Sequence, residues 1–251
     1  MTATTPIQDP DLEFDHGSFD SAAFAKSALA NWQTLASVID HTLLKPEATR
    51  DQVKSLCEEV VRYRFACAMV NPVWVSMAVG ILAGSGIPVG AVVGFPLGAS
   101  VASMLRHEAA VLTRLGAKEL DMVLSVGQLK SGNFHAVEQT IHTVATVAHA
   151  HGAILKVILE TSLLKIDEKL RASEIAIRSG ADFIKTSTGF AAGGATAADV
   201  ALMRGVAGSR CGVKAAGGIR TLAEVKAMLE AGANRIGASA SVAILHELGA
   251  A

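Results

Sequence analysis

From residue 37 onward, short runs rich in Val, Ile, Ala and Leu alternate with longer stretches in which apolar residues recur every three or four positions. A parallel strand covered on both faces reads as continuous hydrophobe, and a helix laid across it carries one apolar stripe, so the alternation predicts strands each followed by a crossover helix. Eight runs fit the strand pattern: 37–40, 65–71, 89–95, 119–124, 154–160, 183–187, 212–216 and 235–238. Helical stretches begin near Thr49, Pro72, Ser100, Asn133, Asp167, Thr196, Thr221 and Ser239. Thr49, Ser100, Thr196 and Thr221 can cap free backbone amides, and Glu224 stands three after Thr221 as in a capping box. Gly116, Gly152, Gly180 and Gly232 fall just before the next strand, where a left-handed helix end needs no Cβ. Eight strand-helix units in series predict an α/β fold of the (β/α)8 TIM barrel type, with an open doubly wound sheet as the alternative.

Length and composition agree with that fold. The 251 residues, 51% of them hydrophobic, suit one barrel and show no linker, so residues 35–251 are read as a single domain. Residues 1–34 precede it as an extension, polar and loosely held to about Ala30, with a short helix over 21–34 and no assigned chemistry. A formal charge of −1 gives no electrostatic reason to expect nucleic acid or an anionic membrane as partner. Nothing in the first twenty residues resembles a signal-peptide core, and no apolar run is long enough to span a bilayer. Cys57, Cys67 and Cys211 form no CxxC pair, which points to reduced thiols in a cytoplasmic protein. Apolar residues on helix faces leave room for a homodimer interface, although a face packed on the barrel reads the same way.

Four strand runs carry an ionisable residue where hydrophobe is expected: Asp121 in ELDMVL, Lys156 in LKVILE, Lys185 in DFIKTS and Lys214 in GVKAAG. A structural ion-pair layer inside the barrel explains any one of them equally well. Three lysines on consecutive strands beside one aspartate favour chemistry. Lys185 and Lys214 hold similar places on neighbouring strands, so their ammonium groups should repel, and repulsion with burial lowers a lysine pKa and frees a nucleophilic amine. Asp121 can serve as counter-charge and proton relay. Cys67 reads as a small core residue; His149 and His151, two apart on a helix, face different ways and make a poor metal pair; His41 and His107 read as structural or solvent-facing.

The segments after the last two strand runs read AAGGIRT and GASAS, where this fold places phosphate sites. Gly217 and Gly218 let backbone amides approach an anion, Ser239 offers a hydroxyl at the start of the last helix, and Thr188-Gly189 follows Lys185 directly. Taken singly, a glycine pair more often makes a tight turn, which is the reading kept for Gly193-Gly194.

The chain also resembles the deoxyribose-phosphate aldolase family over residues 39–245. The resemblance is carried by IDHTLLKPEAT from Ile39, VNPVWV from Val70, VGFPLGA from Val93, ELDMVLSVGQLKSGN from Glu119, LKVILET from Leu155, DFIKTSTGF from Asp182, VKAAGGIRT from Val213 and RIGAS from Arg235. It implies a class I aldolase, without metal or other cofactor, that interconverts 2-deoxy-D-ribose 5-phosphate with D-glyceraldehyde 3-phosphate and acetaldehyde. It implies Lys185 as Schiff-base lysine, Lys214 as second lysine and Asp121 as proton relay. Phosphate contacts would fall on Gly189, Gly217, Gly218 and Ser239, with Thr188, Asp40 and Lys156 as lining or supporting positions. Some members carry a lysine after the STG turn and a terminal tyrosine; here the turn is followed by Phe190, and no tyrosine follows Tyr63. A Schiff-base aldolase acting on a ketose phosphate and a catalytically silent sugar-phosphate binder remain the other readings.

Overall fold

The computed structural model describes residues 18–251. The apolar runs become strands β1 (Ile39–Leu43), β2 (Cys67–Val70), β3 (Val89–Val93), β4 (Glu119–Val123), β5 (Ile154–Ile158), β6 (Phe183–Lys185), β7 (Gly212–Ala216) and β8 (Arg235–Ala238). Each pairs in parallel with the next, and β1 closes on β8 through Asp40 opposite Gly237, so the sheet is a closed barrel in chain order. Closure excludes the open-sheet alternative.

The helices are α1 (Ser21–Ala28), α2 (Trp32–Ala36), α3 (Arg50–Tyr63), α4 (Val75–Ile81), α5 (Ala102–Arg114), α6 (Val126–Lys130), α7 (Phe134–Ala150), α8 (Ile166–Arg178), α9 (Ala197–Ala207), α10 (Leu222–Glu230) and α11 (Ser241–Glu247). Thr49 and Thr221 close capping boxes on α3 and α10, and the Thr196 hydroxyl accepts from the Asp199 amide on α9. Ser100 does not cap: α5 begins later, with Val101 at its N-cap and no side-chain bond there. Ser239 likewise stands two residues ahead of α11 rather than at its start. The four glycines that end helices all take positive φ, from +63° at Gly152 to +114° at Gly232. The short α6 has no counterpart in the sequence reading, because five residues give too little periodicity to detect.

The helix expected over 21–34 is two helices, divided where the Asn31 side chain accepts from the Thr34 amide and starts α2. Nor is this segment loosely held. Asp20 caps α1, Ala25 and Ala28 are buried, α1 packs on α10, and the Phe19 ring lies 4.0 Å beneath the Arg204 guanidinium. The rest of the polar extension, 1–17, lies outside the described residues.

The main core fills the space between sheet and helices. Inside the barrel Leu44, Cys67, Met69 and Val92 form a separate small apolar cluster, packed with Phe95. Gly90 makes room for it, since a Cβ there would stand 2.4 Å from Met69 Cε. The charged residues Asp40, Glu119, Asp121, Lys156, Lys185 and Lys214 are buried beside it. Among the described residues no helix is long and apolar enough to cross a membrane.

Candidate active site

Strand register assembles the site. Asp121 lies opposite Lys156, Lys185 opposite Lys214, and Lys214 opposite Arg235, so four adjacent strands, β5 to β8, each carry a cation, and β4 brings carboxylates to meet them. Lys185 Nζ donates to Asp121 Oδ2 at 2.8 Å, and Lys214 Nζ donates to the same oxygen at 2.7 Å. Lys156 holds the other oxygen, Asp121 Oδ1, at 2.8 Å. Asp40 is shared in the same fashion: Oδ2 accepts from Lys214 at 2.5 Å and Oδ1 from Arg235 at 2.8 Å. Gly237 leaves space for this, because a Cβ there would sit 3.0 Å from Lys214 Cε.

The aspartates and lysines are out of water and Arg235 is partly exposed, and burial and partners set their protonation. Burial pushes the Lys185 pKa down to about 8; Lys214 and Lys156 press in the same direction, while Asp121 opposes them. The repulsion expected from sequence is therefore present, but burial is the larger cause. Lys156 is driven the other way: burial disfavours its charge, yet Asp121, Asp40 and Glu119 outweigh burial and hold it well above the usual lysine value. Asp121 and Asp40 stay ionised against burial because lysines surround both, with Arg235 added at Asp40. Lys156 is thus a fixed counter-cation, and Lys185 is a group poised near neutrality.

Above Lys185 opens a cavity of about 390 Å³ whose wall includes Thr188, Gly189, Gly217, Gly218 and Ser239. The structure therefore brings every sequence-nominated phosphate position to one pocket with Lys185. Gly189, Gly217 and Gly218 have φ of +85°, +92° and +80°, a conformation that strains any residue with a Cβ. Thr188 is fixed from behind: its hydroxyl donates to Glu160 Oε2 at 2.5 Å and accepts from the Phe190 amide at 3.0 Å. Lys45 and Arg220, both exposed, add positive charge to the same wall. Phe190 stands half-exposed with its ring edge-on to Phe95, centroids 5.2 Å apart. The carboxyl-terminal residues lie elsewhere. The Ala251 carbonyl accepts from Arg62 near the end of α3, at the face where the strands begin rather than where they open.

Four contributors escaped the sequence reading or were undervalued by it. Asp40, taken as a lining position, is at the centre of the network. Glu119 contacts Lys156 at 2.6 Å and Arg235 at 3.6 Å. Its place two residues before Asp121 on one strand was a usable signal, since alternate residues share a face. Arg235, given no role in the sequence reading, begins its strand, and register sets it beside Lys214. Glu160 lies just past β5 in a left-handed conformation, φ +55°, which a single sequence does not announce. Asp40, Cys67 and Glu119 also approach within 4.8 Å of one another. Lys156 and Arg235 occupy the carboxylate oxygens there, which leaves the trio poorly suited to hold a metal ion. His149 pairs with Asp182 and His151 with the Val147 carbonyl, in different directions.

A buried lysine of lowered pKa, bonded to a carboxylate that it shares with a second lysine, lies at the floor of an open pocket at the carboxyl ends of the barrel strands. This defines a barrel equipped for carbonyl chemistry through an amine. The chain belongs to the DeoC/LacD family of aldolases, whose family model matches residues 34–247. It is 49% identical over 216 residues to the deoxyribose-phosphate aldolase of Lysinibacillus sphaericus, covering 86% of this chain and 96% of that one. To the deoxyribose-phosphate aldolase of Caldanaerobacter subterraneus it is 51% identical over 214 residues, covering 85% and 93%. Among solved structures, the deoxyribose phosphate aldolase of Aeropyrum pernix, described as a tetramer, superposes with a TM-score of 0.84 at 34% identity, covering 91% of this chain and 96% of that one.

Proposed function

We propose that the protein is a class I aldolase that reversibly cleaves 2-deoxy-D-ribose 5-phosphate to D-glyceraldehyde 3-phosphate and acetaldehyde through a Schiff base on Lys185. The observation that carries this reading is the sharing of one oxygen, Asp121 Oδ2, between Lys185 and Lys214 beneath the pocket. In the open-chain sugar, neutral Lys185 Nζ adds to C1, and the carbinolamine loses water to give an iminium. The C3 hydroxyl then gives up its proton and the C2–C3 bond breaks. Its electrons flow to the iminium, leaving glyceraldehyde 3-phosphate and a two-carbon enamine on Lys185. Protonation at C2 and hydrolysis release acetaldehyde and restore the amine.

Asp121 and Lys214 move the protons in these steps, since a proton on either lysine can pass across the shared oxygen. Gly189, Gly217, Gly218 and Ser239 receive the phosphate with their backbone amides and hydroxyl, Thr188 aligns the turn, and Lys45 and Arg220 supply positive charge where Phe190 supplies none. Asp40 and Lys156 support the pair from behind. The substrates are small and phosphorylated, the place of action is the cytoplasm, and the role is breakdown of deoxyribose phosphate.

Borohydride reduction in the presence of acetaldehyde tests the reading. A two-carbon adduct on Lys185 is expected; an unmodified lysine in a fully active enzyme would sink it. Lys185→Ala should abolish turnover, and Lys214→Met or Asp121→Asn should each lower kcat by roughly 10²- to 10⁴-fold. Dihydroxyacetone phosphate offered in place of acetaldehyde should give no product.

A further inference from the structure

The barrel interior holds three carboxylates, Asp40, Glu119 and Asp121, and four cationic side chains, Lys156, Lys185, Lys214 and Arg235. The two aspartates each turn one oxygen to the reacting lysines and give the other to a cation behind: Asp121 Oδ1 to Lys156, Asp40 Oδ1 to Arg235. Glu119 touches neither Lys185 nor Lys214. Its two oxygens join the two rear cations, Oε2 to Lys156 at 2.6 Å and Oε1 to Arg235 at 3.6 Å. Glu119 thereby fixes the cations that fix the aspartates. The same arrangement decides charge, because seven groups of this kind balance when one of the four cations is neutral.

We propose that Glu119 and Arg235 are positioning residues, a rear pair that orients Asp121 and Asp40 and sets the charge balance under which Lys185 gives up its proton. The proposal rests on the reading of Lys185 as the Schiff-base lysine. The charged and titratable groups around Lys185 are Asp40 of β1, Cys67 of β2, Glu119 and Asp121 of β4, Lys156 of β5, Lys214 of β7 and Arg235 of β8, with Glu160 beyond β5 behind Thr188; β3 contributes none. Removing one negative charge from this set should make a further positive charge on Lys185 harder to hold, and removing one positive charge should make it easier. A pair that merely filled space would shift nothing, or would shift both variants alike.

The test is the pH dependence of acetaldehyde trapping by borohydride and of kcat on deoxyribose 5-phosphate, in the wild type and in Glu119→Gln, Arg235→Gln, Arg235→Lys and the Glu119→Gln/Arg235→Gln double variant. The midpoint for trapping should fall by about half a pH unit or more in Glu119→Gln and rise by a similar amount in Arg235→Gln. Arg235→Lys should hold the wild-type midpoint, and kcat in the two single Gln variants should fall tenfold or more with little change in KM, since neither residue reaches the pocket. Midpoints that all agree within about 0.2 unit, or that move in one direction in both single variants, would overturn the proposal. Should a single variant fail to fold, the double variant decides, because balanced charge predicts a return to the wild-type midpoint and any large displacement contradicts it. A wild type that traps no acetaldehyde would instead refute the Schiff-base reading.

Discussion

Lys185 and Lys156 are the same residue type, on neighbouring strands, bonded to the two oxygens of one aspartate, and their pKa values move in opposite directions. The difference is in their company. Lys156 has three carboxylates about it, whereas Lys185 has one and faces two other lysines. With its pKa at about 8, the free-amine fraction of Lys185 grows as pH rises, so initial trapping rates should climb roughly tenfold per unit below pH 8 and level off above it. A rate independent of pH between 6 and 9 would contradict that assignment. Lys214→Met should move the midpoint upward, because Lys214 helps to lower it. For Lys156 the prediction concerns stability: Lys156→Met leaves Asp40, Glu119 and Asp121 without their shared cation and should cost about 3–5 kcal/mol in urea unfolding.

At the scale of elements, the strands carry the chemistry and small residues among them decide whether it fits. Gly237 on β8 is an example, with Ala216 and Lys214 both 3.0 Å from where its Cβ would be. Gly237→Ala should therefore displace the Lys214 side chain and lower kcat more than it raises KM, with the helical circular dichroism signal unchanged. The helices are set by simpler means. Thr221→Ala removes the capping box of α10 and should cost about 1 kcal/mol, without affecting the trapping midpoint. Strand and helix order were legible because period and punctuation are local, and the β7 and β8 bounds match the sequence reading. The failures were local as well. Ser100 had the right residue type for a cap, but the chain enters its helix two residues later.

For the whole molecule, protonation links the site to stability. Asp40 and Asp121 are held below their unfolded pKa, so their contribution is complete above about pH 4 and is lost as pH falls further. His41, buried against Glu59 and the Phe65 ring, has a lowered pKa, first because of burial; the unfolded chain then binds the extra proton, and stability declines below about pH 6.5. Burial raises Cys57 to about 11, Cys211 to about 12 and Cys67 well above the usual thiol value. Unfolded thiols ionise first, so stability falls as pH rises past about 8.5. Lys185 acts oppositely in that range but is one group against three. The urea midpoint should therefore be highest between about pH 6.5 and 8.5, and replacing the three cysteines with alanine should flatten the alkaline side.

The sequence by itself determined the eight strand-helix units, the four charged strand positions that first stood out, and the glycine turns of the pocket, since each is written in residue type at short spacing. Asp121, Lys185 and Lys214 were visible because a charge inside an apolar run needs no partner to be noticed. Only the tertiary structure decided which charges meet: that Asp40, from the first strand, bonds Lys214 of the seventh, that Glu119 and Arg235 stand behind the pair, and that the Lys156 pKa is held up while that of Lys185 falls to about 8. Barrel closure brings together residues 174 positions apart, and the energy of a buried charge depends on what lies within a few ångströms of it, which local sequence does not record.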